Sequence, residues 1–251
     1  LEQRESVQVH AGAFGLEPDR ALSLSGQELR NLASVLADDP LRAVQTLPGV
    51  TSNDDFRSEF ALRGADFSRI GIYLDGILLH QPFDSVSGAA NSPSLTLFNG
   101  DLLDEVHLLP GNPTPLYSDR TAGALAMVVR NGARDRFHAR GAVSASNASL
   151  VAEGPLGRSR RGSWLASARK SYLQYLISRT AEDDPNLAFG FWDAQARASY
   201  DLTPTQRLTA SILYGDSGLD RKADASTFGL NTIVFSDFAY TLSTLQWRLS
   251  S

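Results

Sequence analysis

Four histidines, His10, His80, His107 and His138, are scattered along the chain and share no metal-ligand spacing. There is no Gly-x-Ser-x-Gly, phosphate loop or zinc-protease motif. The absence of cysteine excludes disulfides and thiolate metal sites. Asp104 and Glu105 invite an acid–base reading, but adjacent residues on a strand point to opposite faces. Glu182-Asp183-Asp184 reads as an exposed acidic loop, since a calcium site needs more oxygen ligands in one turn. The sequence therefore predicts no catalytic residue, cofactor or metal site. Ser52–Arg57 and His80–Asp84 each mix an aromatic ring with hydrogen-bonding groups. Asn53, Asp55, Phe56, Arg57, His80, Gln81 and Phe83 are thus candidate ligand contacts. The plain alternative is a pair of solvated loops.

These loops need elements to hold them. Residues 1–25 read as an extended leader, with Val7 and Val9 alternating with polar neighbours before Gly12, Gly15 and Pro18 break the pattern. Leu29, Leu32, Val35 and Leu36 recur at helical spacing. Asp39-Pro40 starts a second helix with a capping side chain and a proline in the first turn, and Pro48-Gly49 ends it. Short strands are expected at Phe60–Gly64, Ile70–Leu74, Ile77–Leu79, Val106–Leu109 and Ala124–Val129, with Asp75-Gly76 as a two-residue hairpin turn. Residues 26–132 thus form an α+β domain, a mixed sheet with short helices.

From residue 133 the pattern changes to strand after strand. Trp192, Ala194, Ala196, Ala198 and Tyr200 share one face, and Asp193, Gln195, Arg197 and Ser199 share the other. Phe137–Ala145, Ser149–Glu153, Ser163–Arg169, Arg207–Tyr214 and Thr244–Leu249 repeat the pattern, although Leu165 falls on a polar face. Connections alternate between short and long. A polar inner face, an apolar outer face with aromatic ends and this loop asymmetry describe transmembrane barrel strands. A soluble antiparallel sheet also alternates and is the competing expectation.

The bulk numbers agree. The 251 residues are 42% hydrophobic and 20% charged, which excludes a disordered chain. A net charge of −5 argues against a nucleic-acid partner. No apolar run reaches the ~18–20 residues of a membrane helix, which does not exclude a membrane protein, because barrel strands carry a weak signal per segment. The chain begins at Leu1 and stops at Ser251 within a strand-like run, so a piece of a longer protein with an incomplete barrel is expected.

Five segments in order resemble the TonB-dependent receptors of Gram-negative outer membranes. They are Leu47-Pro48-Gly49-Val50, Phe60-Ala61-Leu62-Arg63-Gly64, Ile72–Ile77, Leu103–Leu109 with Gly111, and Tyr117 with Ala122–Val129. The resemblance implies an N-terminal plug (26–132) inside a 22-stranded barrel, of which 133–251 would be the first five or six strands. It implies outer-membrane lipid around the barrel, with the plug toward the periplasm. It further implies a bulky, scarce ligand, most commonly an iron–siderophore, and an inner-membrane TonB-type partner that supplies force. Glu5, Ser6, Val7, Gln8 and Val9 are similar to the family's energy-coupling box; an ordinary edge strand is the alternative. Pro110 stands where the family has an arginine that locks plug to wall, and Ser118 replaces a glycine. Arg63 and Glu105 are then the expected plug–wall contacts, and the candidate loops would form the plug apex. Two other functions stay open: a signalling receptor of the same architecture, and a soluble α+β enzyme.

Overall fold

The computed structural model describes residues 21–33, 39–52, 58–80, 82–83, 96–111, 115–117, 119–144, 147–172, 187–221 and 235–250. Its first half contains β1 (Leu22–Ser25), α1 (Gly26–Ala33), α2 (Pro40–Val44), β2 (Val50–Thr51), β3 (Ala61–Leu62), β4 (Ile70–Leu74), β5 (Ile77–Leu78), β6 (Leu103–Pro110) and β7 (Gly123–Val129). Five of these strands form one sheet in the order β1-β6-β7-β4-β5, and β2 pairs with β3 separately. Among the described residues only the β4–β7 pairing in the larger sheet is parallel, so that sheet is mixed.

Local chemistry sets the element ends. Ser25 and Glu28 form a reciprocal capping box at the start of α1: Ser25 N–H donates to Glu28 Oε2 at 2.8 Å, and Glu28 N–H donates to Ser25 Oγ at 3.3 Å. The Ser25 hydroxyl and N–H hold the Glu28 carboxyl below its usual range. At Gly26 a Cβ would lie 2.6 Å from the Leu103 carbonyl oxygen, so the helix can start this close to β6 only on glycine. Asp39 caps α2 by accepting the Leu41 N–H at 2.9 Å, with Pro40 in the first turn. Asp75 and Gly76 both have positive φ (49° and 84°), as a hairpin turn that follows strand twist requires. Every residue of β4 is buried, which matches its unbroken apolar run. Ile72, Phe98, Val106, Leu108 and Leu125 lie in its core with Leu41 and Val44 of α2. Tyr73 and Tyr117 meet edge to face at 4.6 Å in a second cluster, and burial raises both hydroxyls above the usual tyrosine range.

Two expectations shift here. β1 pairs with β6 from Leu22 to Ser25, so the mixed sheet begins inside the segment read as leader. Asp104 and Glu105 are both exposed, because the register slips between Leu103 and Glu105 and breaks the alternation of faces. The first strand of the leader, at Val7–Val9, lies outside the described residues.

The second half is a meander of β8 (His138–Val143), β9 (Asn147–Leu156), β10 (Gly162–Ser171), β11 (Leu187–Thr203), β12 (Gln206–Arg221) and β13 (Phe235–Leu249). Each strand pairs antiparallel with the next, and β8 and β13 are not joined. At one end the strands are joined by 157–161 and 204–205. At the other, 144–146, 172–186 and 222–234 separate them.

Burial alternates along these strands in the sense opposite to a soluble sheet. In β10, Ser163, Leu165, Ser167 and Arg169 are buried, while Trp164 and Ala166 are half-buried and Ala168 is exposed. In β11, Asp193, Gln195 and Ser199 are buried, while Trp192 and Ala196 are exposed. Ile212 is 46% exposed and Trp247 66%. The small and apolar residues face outward, and the polar residues face the mixed sheet. Aromatic rings sit near both ends of the outer face. Trp192 packs on Tyr214 at 4.8 Å near the long connections. Trp164 lies over Gly154 and Tyr200 over Gly162 near the short turns, where glycine lets a ring lie flat on the sheet. Trp192 and Tyr200 are about 26 Å apart along the strand at ~3.3 Å per residue. At a ~40° tilt this is about 20 Å of depth, close to the ~25 Å apolar band of a barrel.

Candidate functional site

The mixed sheet meets the polar face of the wall through three groups of contacts. The first is the segment Thr96–Asn99, which is wholly buried. Leu97 and Phe98 point into the core of the mixed sheet. The segment's remaining polar groups lie outside its hydrogen-bonded ladder and must find partners elsewhere. The wall supplies them. Arg169 donates to the Thr96 carbonyl, Gln195 Nε2 to the Leu97 carbonyl at 3.5 Å, and Asn99 Nδ2 donates to Ser167 Oγ at 2.9 Å. Arg169 is held by Asp193, one strand over, through Nε at 2.8 Å and Nη2 at 2.7 Å. Both side chains are essentially inaccessible, at 2% and 0%. The Phe191 ring lies 5.4 Å under the guanidinium. On the other side of Thr96, its N–H donates to Asp39 Oδ2 at 3.1 Å, and Ser58 Oγ donates to the same oxygen. A continuous buried path of polar contacts therefore runs from the cap of α2 to the wall.

The second group is the β4–β5 hairpin tip. Asp75 Oδ2 pairs with Arg197 Nη1, Asp75 Oδ1 accepts the Val129 N–H at 3.1 Å, and its carbonyl accepts Gln246 Nε2 at 3.2 Å. Asp75 and Arg197 side chains are each 10% exposed. The third group is the strap after β7. Arg130 pairs with Glu153 at 2.5 Å and donates to the Asp101 carbonyl at 3.0 Å. Asp101 pairs with Arg140 at 2.5 Å, Asn131 Oδ1 accepts Ser199 Oγ at 2.7 Å, and Arg134 reaches Asp201 at 2.5 Å.

Apolar contacts between the bodies are local. Leu165 and Val151 of the wall cluster with Leu102 and Val129, and Leu213 joins the core of the mixed sheet. This explains why Leu165 breaks the polar pattern: at that point the inner face meets protein. A boundary held by charge pairs and hydrogen bonds around small apolar patches resembles a separable interface between domains.

The expected contacts fare unevenly. Arg63 sits at positive φ (50°) in the Leu62–Ala65 turn and is exposed. Glu105 is exposed and pairs with His107 at 3.0 Å. Among the described residues neither reaches the six wall strands; Arg130 and Arg134 of the strap are the cations that pair with wall carboxylates, Glu153 and Asp201. Phe83 is a core residue, 5% exposed and 5.1 Å from the Phe67 ring. His80 is exposed. Asn53, Asp55, Phe56, Arg57 and Gln81 lie outside the described residues, as do Glu5, Ser6, Val7, Gln8 and Val9. Sequence reasoning assigned Asp75 only a turn role and gave Arg169, Asp193 and Arg197 no role beyond a polar face. The available signal was charge facing inward on neighbouring strands: Arg169 and Asp193 are direct register partners.

Residues 20–125 match the family model of the TonB-dependent receptor plug domain. That segment is a TonB-dependent receptor plug. No curated protein sequence aligns significantly with the chain. Among solved structures, the chain is similar to the ferric enterobactin receptor of Pseudomonas aeruginosa, with a TM-score of 0.60 at 13% identity, covering 93% of this chain and 39% of that one. It is also similar to the ferripyoverdine receptor of the outer membrane of Pseudomonas aeruginosa, with a TM-score of 0.55 at 16% identity, covering 84% and 28%. A copper transporter matches with a TM-score of 0.50 at 17% identity, covering 79% and 30%. At these identities the likeness is one of fold: a plug followed by antiparallel wall strands. The chain spans about two-fifths or less of the length of these structures. The expected fold class, an α+β plug and then barrel strands without closure, is the observed one.

Proposed function

We propose that this chain is the plug and part of the barrel wall of an outer-membrane receptor that imports a bulky, scarce ligand of the iron–siderophore type with energy from TonB. The observation that carries this is the inverted wall: apolar residues face outward, polar residues face inward, and a plug is fastened to the polar side. Such a sheet suits hydrocarbon outside and a stoppered pore inside. The short turns then face the periplasm and the long connections the exterior. Ligand binds the outer apex of the plug. An inner-membrane TonB-type protein adds a strand to Glu5–Val9, where backbone hydrogen bonds give grip without demanding a particular sequence. Pulling there shifts the plug by releasing discrete polar contacts. Ferric enterobactin and ferripyoverdine in the names of the similar structures support the ligand class.

Two measurements test this. Ile212→Arg in the intact receptor is expected to cost about 2–4 kcal/mol of stability in vesicles, because a lipid-facing cation near mid-strand is expensive. A solvated sheet face would change by less than about 0.5 kcal/mol. Urea unfolding reads the difference, and a change in the lower range puts Ile212 in water. Uptake of labelled ferric catecholates and hydroxamates by iron-starved cells is expected to fall at least about tenfold for one of them when the gene is deleted. Removing residues 5–9 should abolish that uptake while leaving ligand binding intact. Unchanged uptake of every ferric siderophore overturns the ligand class. Binding without any import turns the protein into a signalling receptor.

A further inference from the structure

The connection between β9 and β10 reads Gly157-Arg158-Ser159-Arg160-Arg161. Three arginines in five residues stand out in a chain of net charge −5. All three are exposed. Gly157 (φ 78°) and Arg160 (φ 53°) fix the shape of the turn. Arg161 is folded back onto β11: its guanidinium lies 5.8 Å over the Tyr200 ring and donates to the Leu202 carbonyl. The carboxylate nearest in sequence to that ring does not neutralise the turn. Asp201 is occupied by Arg134 at 2.5 Å and Arg207 at 2.6 Å. Among the described residues no ion pair involves Arg158, Arg160 or Arg161. The neighbouring short turn, Thr203-Pro204-Thr205-Gln206, carries no charge of its own, and Arg207 beside it is paired with Asp201.

What adjoins the arginines is apolar. Leu156 and Leu202 are exposed on the strands that flank the turn. The rings of Trp164 and Tyr200 lie flat on the outer face at the same end, over Gly154 and Gly162. Guanidinium groups therefore sit at the edge of the apolar band, beside amphipathic rings that settle at a headgroup level. A soluble anion would use the charge and leave the rings and leucines without a partner. A phospholipid uses both: phosphate against the arginines, acyl chains against the wall.

We infer that the Gly157–Arg161 turn and the adjoining Trp164–Tyr200 face bind an anionic phospholipid in the leaflet bordering the short turns. This rests on the outer-membrane reading above. The test uses the intact receptor in detergent, with tryptophan fluorescence quenched by brominated phosphatidylglycerol or brominated phosphatidylcholine. The wild type should prefer phosphatidylglycerol by up to about 100-fold at low salt, about fivefold per arginine. The triple variant Arg158→Gln, Arg160→Gln, Arg161→Gln should fall to within about twofold, whereas the corresponding lysine variant keeps the preference. If the glutamine variant does not fold, salt decides: about 0.5 M salt should remove most of the wild-type preference. The inference is overturned if the wild type is quenched equally by both lipids, or if the glutamine variant retains the preference. It also fails if millimolar inorganic phosphate abolishes the preference, which would assign a soluble anion. If neither lipid quenches the wild type, the outer-membrane reading falls, and this inference with it.

Discussion

Asp75→Asn is expected to loosen the plug by about 2–5 kcal/mol, because it leaves Arg197 charged and nine-tenths buried without a counter-ion. Asparagine keeps the shape of the turn. It tolerates the left-handed backbone at φ 49° and can still accept the Val129 N–H. The loss is therefore electrostatic. Asp75→Ala should cost about 1–2 kcal/mol more, since alanine is strained at that φ and the Val129 N–H loses its acceptor. Arg197→Gln alone should cost a similar amount to Asp75→Asn. The double variant should recover about 1–3 kcal/mol of the sum, as expected for directly coupled partners. Amide exchange at Val129 and along the β4–β5 hairpin gives the readout. If Asp75→Asn leaves exchange at these amides unchanged, the hairpin has no anchoring role and Asp75 is there only for its backbone.

Periodicity and local stereochemistry made much of this fold legible in the sequence. Alternation placed all six wall strands and told their faces apart, because side chains of period two can only go in or out. Asp39-Pro40 and Asp75-Gly76 announced a helix start and a hairpin, because cap and turn chemistry is local. The site was less legible, since it is made of pairs distant in sequence. Arg169 meets Asp193 across 24 residues and Thr96 across 73. Arg197 meets Asp75 across 122. Alternation put these arginines inside but could not say what they face. Arg63 is the opposite case: a motif singles it out as a plug–wall contact, and among the described residues its turn meets none of the six wall strands. Phe83 looked like a loop aromatic until the bridge between Phe83 and Thr96 folded it beneath the segment that the wall grips. That segment, Thr96–Asn99, carries no regular pattern, and its role depends only on where its carbonyls end up.

Arg169→Met is expected to be the most damaging single change at the wall, at about 3–5 kcal/mol. Methionine fills much of the volume but strands Asp193, which is 0% exposed, without its cation. It also removes the donor to the Thr96 carbonyl, a further about 1–3 kcal/mol if water cannot replace it. The two losses can be separated. In Arg169→Met with Asp193→Leu, no buried charge is left unpaired, so the wall should return to within about 1–2 kcal/mol of wild type, as buried pairs replaced by apolar residues often do. The Thr96 carbonyl gains nothing from the second change. Exchange at Thr96, whose N–H is held by Asp39, and at the neighbouring Leu97 amide, which donates to Pro82 O at 2.9 Å, should stay fast in the double variant even as the wall's unfolding midpoint recovers. Recovery of both together would mean that Arg169 stabilises the barrel alone. Recovery of the wall without the plug would make Arg169 a fastening between them, joined to α2 through Thr96 and Asp39.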